Sequence, residues 1–227
     1  MRNNMIDMFN EETLGIIGLT MRMTLSSTAI SAILGIPIGL WLSRAYFPGK
    51  KLIVSINRTL MGTPPVVVGL VVFLLFMRTG PLGAFRLLFT LEAMIIAQVF
   101  LITPIVSGIV YTAAARSGES IRNFAHTIGA NKLQTQILLI KELGNEIFFA
   151  VITGFGRAMS EVGAIAIVGG NIRNITRTMT TTIALDINRG FRDQAIVLGI
   201  VLMIIAFVVQ ITADILRRKE RRLDENF

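Results

Sequence analysis

Five long apolar runs constrain this chain more than any other feature: residues 16–42, 59–77, 87–111, 147–169 and 195–216. A helix of about 20 apolar residues matches a hydrocarbon layer ~30 Å thick, and backbone in lipid has to satisfy its hydrogen bonds internally. The runs therefore predict an all-α, polytopic membrane protein with about five transmembrane helices. Composition points the same way: 53% of residues are hydrophobic and 16% charged, which excludes an ordinary soluble domain. The sequence has no cysteine, so disulfides, a thiolate metal site and a thiol nucleophile are excluded. His126 is the single histidine. With no second one to share a metal, it reads as a helix-surface position.

The formal charge is +8. No basic stretch is interleaved with aromatics, so a stacking platform for nucleic acid is set aside. The positive-inside bias of membrane proteins explains the charge instead. Arg44, Lys50, Lys51 and Arg58, then Arg116, Arg122, Lys132 and Lys141, then Arg217, Arg218, Lys219, Arg221 and Arg222 fall on one side of the five runs. Arg2, Arg78, Arg86, Arg173, Arg177, Arg189 and Arg192 fall on the other. An excess of roughly two to one predicts an external N-terminus and a cytoplasmic C-terminus. Three parts follow: an external N-terminal segment, residues 1–14, without the pattern of a signal peptide; a transmembrane domain, residues 15–216; and a basic cytoplasmic tail, residues 217–227.

Polar interruptions mark the candidate functional positions. Thr63 and Pro64, within Gly62-Thr63-Pro64-Pro65, either line a protein- or water-filled cavity or start a helix at the interface, because proline removes backbone donors. The third run contains Glu92 and Gln98, and Thr103-Pro104 predicts a kink. In the fourth, Gly154, Gly156, Ala158, Ser160, Gly163 and Ala164 are small enough for another helix to approach closely. Arg157 and Glu161 lie one turn apart and are expected to pair on one face. Either alone at the bilayer centre would cost about 2.5–3.5 kcal/mol. The pair either locks the bundle or, with Ser160 and Gly163, lines a gate or path. Residues 170–194 combine Asn171, Thr178, Thr180 and Thr181 with Arg173, Arg177, Arg189 and Arg192. Such an external segment suits an anion or the acidic rim of a docking protein, or else is a plain polar loop.

Between the third and fourth runs lies a polar stretch, residues 116–142. Ala125, Ile128, Leu133 and Ile137 predict short amphipathic helices hinged at Gly129. A polar protrusion on a membrane protein needs something to dock against. No nucleotide-binding signature is present: Gly49-Lys50-Lys51 lacks the Ser or Thr that ends a phosphate-binding loop, and Arg44 stands where its opening glycine should be. ATP-derived energy would come from another subunit. A membrane-embedded enzyme built on Arg157, Glu161 and His126 is disfavoured because the three do not converge. A non-transporting membrane anchor is the remaining alternative.

Residues 123–129 resemble the cytoplasmic signature of ABC importer permeases, in which Glu-Ala-Ala, then three further residues, precede a Gly. Asn123-Phe124-Ala125 stands for the triplet, Gly129 for the glycine, and Ala130-Asn131-Lys132 follows; Lys141-Glu142 replaces the family's later Leu-Pro. Arg157 through Ala164 resembles a segment shared by molybdate, sulfate and tungstate permeases. Gly169 through Ile172, Thr176 through Thr181, and MGTPPVVVGL from Met61 are most similar to the tungstate type. The resemblance implies a MetI-like permease fold, with 15–216 as the permease domain and 113–145 as its cytoplasmic coupling region. It further implies a homodimer of permeases in the inner membrane among lipid, two cytoplasmic ATPase subunits carrying ATP and Mg, and an external oxyanion-binding protein. No cofactor is expected in this chain.

Overall fold

The computed structural model describes the backbone of residues 11–224 and, within that range, all side chains except those of Asp214 and residues 216–224. Most of the expected external segment, residues 1–10, thus lies outside the described residues, as do residues 225–227. Helices cover the five apolar runs and also form between them: α1 (Glu11–Arg44), α2 (Lys50–Met61), α3 (Pro65–Phe76), a 3-10 turn (Gly83–Phe85), α4 (Leu91–Thr127), α5 (Lys132–Glu142), α6 (Gly144–Met159), α7 (Gly163–Gly169), α8 (Met179–Arg189) and α9 (Arg192–Asp224). Among the described residues, three helices are long and apolar enough to cross a bilayer: α1, α4 and α9 through Ala213. The second and fourth runs are instead broken helix pairs, α2 with α3 and α6 with α7, which bring the spans to five if each pair is counted as one.

Each break follows from local chemistry. Proline disfavours helical backbone in the residue before it, and Thr63 and Pro64 both precede one. Pro64 is extended (φ −59°, ψ 127°) and Pro65 takes the first position of α3, where its missing N–H costs nothing. Residues 50–58, expected as a loop, are therefore helix, and the expected single span 59–77 is a helix end plus a 12-residue helix. At 160–162 polar side chains replace the ladder: Ser160 Oγ donates to the Arg157 carbonyl (3.2 Å), and Glu161 Oε1 accepts the Ala164 N–H (2.9 Å) at the start of α7. Thr103-Pro104 does not end the helix of the third run. α4 runs through Pro104 for 37 residues, and its apolar window is 67% buried against 11% for that of α9.

The chain forms two compact units. In the first, residues 11–27, 64–98 and 156–224, α3 and α7 cross at van der Waals distance. A Cβ on Gly69 would lie 2.6 Å from Ala164 Cα, and one on Gly163 would lie 2.7 Å from Val66 Cγ2. Small residues permit this close approach, as the fourth run predicted. Met23, Met94 and Ile165 form one buried cluster, and Ile16, Met179 and Leu198 another. In the second unit, residues 28–63 and 99–155, Gly154 seats α6 on α4, where its Cβ would meet Ile102 Cγ2 at 2.7 Å.

Candidate functional site

Two places gather the candidate residues. The first is the α6–α7 break. Arg157 and Glu161 are not paired, contrary to the sequence expectation, because the helix that would hold them one turn apart ends at Met159. Arg157 is half-buried and Ser160 exposed, whereas Glu161 is only 4% exposed. Gln98, from the first turns of α4, completes the break: its Nε2 donates to the Ala158 carbonyl (2.8 Å) and its Oε1 accepts from Ser27 Oγ (2.6 Å). A helix end inside an apolar unit leaves carbonyls short of partners, and Gln98 reinforces one that also takes the Glu161 N–H at 3.4 Å. Sequence reasoning placed Gln98 in a span but gave it no role. Its signal was a lone uncharged amide in an otherwise apolar run. Replacing Gln98 by leucine should leave the buried Ala158 carbonyl and Ser27 hydroxyl with poorer partners and lower stability by about 1–3 kcal/mol, read as a fall in melting temperature.

Thr178, Thr180 and Thr181 close on the same break from α8, and all three are buried. Thr180 Oγ1 donates to the Glu161 carbonyl (2.8 Å). Thr178 and Thr181 form a reciprocal capping box at the start of α8, so the threonines are not an open polar loop. Thr20 of α1 accepts the Met179 N–H (3.0 Å), tying α8 to α1. Asn171, in left-handed backbone (φ 49°), gives its carbonyl to Arg177 at 3.4 Å. Of the expected external arginines, Arg173 makes a two-pronged contact with Glu12 (2.8 and 2.5 Å), which holds its guanidinium above the ordinary value. Burial pushes the Asp186 carboxyl up, partly offset by Arg177 and Arg189. Thr63 is half-buried and donates back to the Thr59 carbonyl (3.2 Å).

The second place is the polar stretch. α4 carries straight into it and ends at Thr127; Gly129, at φ +72°, reverses the chain, and Asn131 caps α5 in a box with Gln134. The hinge lies where the sequence puts it. Ala125, Thr135 and Leu139 are buried, while Phe124, Ile128, Leu133 and Ile137 are 50–70% exposed. Asn123, Asn131 and Lys132 are exposed and Ala130 is half-buried. His126 is exposed as expected. The protrusion thus presents exposed apolar side chains beside polar ones.

Comparison with known proteins identifies the family. Residues 35–222 match the family model described as a binding-protein-dependent transport system inner membrane component. The tungstate uptake system permease protein TupB of Peptoclostridium acidaminophilum is 43% identical over 88% of each chain. A probable anion ABC transporter permease of Haloferax volcanii is 37% identical over 93% of this chain and 92% of its own. TupB of Campylobacter jejuni is 36% identical over 76% and 72%.

Proposed function

This chain belongs to the binding-protein-dependent transport system inner membrane components, and on that premise we propose that it is the multi-pass permease subunit of an ATP-driven tungstate importer. The observation that carries the reading is the two-helix protrusion hinged at Gly129, whose exposed Phe124, Ile128, Leu133 and Ile137 need a soluble partner. Exposed apolar residues on a polar protrusion mark an interaction surface. The partner is an ATPase subunit, which holds ATP and Mg and performs the hydrolysis; this chain is not an enzyme and carries no cofactor. Two permease copies, two ATPases and an external oxyanion-binding protein make the working complex, with the N-terminus outside and the C-terminus and residues 113–145 in the cytoplasm. Asn123 through Ala125 and Gly129 through Lys132 couple to the ATPase. Tungstate as the cargo is supported by the two relatives named for it.

The path residues are Thr63, Pro64, Arg157, Ser160, Glu161, Gly163, Asn171, Thr178, Thr180 and Thr181. Several have a structural task in the broken helices, so the path and the breaks are one device: backbone that leaves the helical ladder inside a membrane is tolerated where it lines a cavity. Arg157, half-buried and without an ion pair among the described residues, is the cation placed to meet a dianion. Cargo release requires the affinity to differ between the two states of the transporter. Uptake of radiolabelled tungstate by proteoliposomes holding the whole complex tests the reading. Wild type should accumulate tungstate in an ATP-dependent manner, and Arg157→Gln should cut the rate at least tenfold while leaving complex assembly intact. Uptake by the variant at the wild-type rate would remove Arg157 from the path; no tungstate uptake by the wild type would overturn the function.

A further inference from the structure

Helix α2 has three chemically distinct faces. Lys50, Val54, Asn57 and Met61 form the half-buried one. Asn57 Nδ2 donates to the Pro104 carbonyl (3.2 Å), its Oδ1 accepts from Ser107 (3.0 Å), and Met61 covers Gly108 of α4. Lys50 Nζ donates to the Ser43 carbonyl at the end of α1 (3.2 Å) and lies over the rings of Tyr46 and Tyr111. A second face carries Leu52, Ile53, Ile56 and Leu60, all 43–64% exposed. The third carries Lys51, Ser55, Arg58 and Thr59, all exposed. At 100° per residue the packed, basic and apolar faces are spaced roughly 120° apart around the helix. No Asp or Glu occurs from residue 41 to residue 61. Glu146, which lines a cavity with Arg58 and Arg116, faces Arg116 at 3.9 Å.

We propose that α2 is a surface helix lying in the plane of the bilayer interface and that its occupant is anionic phospholipid: acyl chains against Leu52, Ile53, Ile56 and Leu60, headgroup phosphates against Lys51 and Arg58. A 12-residue helix is about 18 Å long, too short to cross the hydrocarbon. An amphipathic helix with one apolar and one cationic face sits at the headgroup boundary, and its cations select acidic lipid. The aromatics just before it mark the same depth. Tyr46 is 94% exposed, and Trp41, 60% exposed, stacks on Phe47 with centroids 5.7 Å apart, as expected of rings in the interfacial belt. The helix joins the Thr63-Pro64 break directly, so lipid charge would bear on a joint of the permease.

The cysteine-free sequence permits a direct test on the assembled transporter in nanodiscs. A bimane label at Ile56→Cys should be quenched by phospholipid bearing a nitroxide on its acyl chain, and a label at Ser55→Cys should not. Equal quenching at both positions, or an Ile56 label shielded because a second copy of the chain covers it, overturns the proposal. Independently, Lys51→Gln and Arg58→Gln should each lower the retention of phosphatidylglycerol relative to phosphatidylcholine about fivefold. Unchanged retention in the double variant overturns the headgroup assignment even where the quenching pattern is as expected.

Discussion

Gly69→Leu should abolish the folded permease. A Cβ at residue 69 would lie 2.6 Å from Ala164 Cα and 3.2 Å from both its Cβ and its carbonyl oxygen. The obstacle is backbone, so no change of rotamer relieves it, and α3 and α7 would have to separate. Inserting extra carbons into a well-packed core costs about 1–3 kcal/mol, occasionally more. A backbone obstacle puts this substitution at or above the upper end of that range. The α3–α7 crossing also positions Gly163 against Val66, so its separation would disturb the Glu161 cap as well. Gly156→Ala is the matched control: the added methyl meets nothing within 4 Å, and alanine favours helix over glycine by about 0.8–1 kcal/mol. Size-exclusion profiles and melting curves in detergent should show loss of the Gly69→Leu protein and an unchanged or raised melting temperature for Gly156→Ala. A monodisperse Gly69→Leu protein with wild-type melting would refute the close crossing.

The second large effect is functional. At Gly129 the backbone is left-handed (φ +72°), and a Cβ would meet nothing within 4 Å. Gly129→Val therefore tests backbone conformation: a β-branched residue in that region costs roughly 1–2 kcal/mol, and its Cβ has open space around it. The strain is relieved by re-aiming the turn between α4 and α5, which moves the surface proposed to meet the ATPase. Permease-stimulated ATP hydrolysis should fall at least tenfold in the reconstituted complex, with the membrane spans melting as in wild type. Gly129→Asn, which accepts left-handed backbone readily, should retain most of the stimulation. Full stimulation in Gly129→Val would dissociate the hinge from coupling.

Much of this architecture was legible because its signals are local. Apolar run length announced α1, α4 and α9, since a bilayer sets the number of residues needed. Glycine announced the hinge at 129, since few other residues adopt its backbone. The Gly/Ala-rich fourth run announced a close crossing, and Gly69 opposite Ala164 and Gly154 opposite Ile102 supply it. What failed was whatever depended on a helix continuing. Arg157 and Glu161 pair only on an unbroken helix, and the break at 160–162 sends Glu161 to cap α7 instead. On α5 Thr135 and Leu139 are the buried positions, which leaves Leu133 and Ile137 outside. Periodicity locates a face without saying what covers it.

Taken by itself, the sequence determined the solvent: so much uninterrupted apolar length leaves only helices in lipid, with a polar hinge at a glycine. Only the tertiary structure decided the helix break at 160–162 in the fourth run. A break there survives when distant side chains take up the freed backbone groups. Gln98, 60 residues before the Ala158 carbonyl it receives, and Thr180, 19 residues beyond the Glu161 carbonyl it meets, supply those partners. Such hydrogen bonds are set by packing between elements far apart in the chain, which no local pattern of residues encodes.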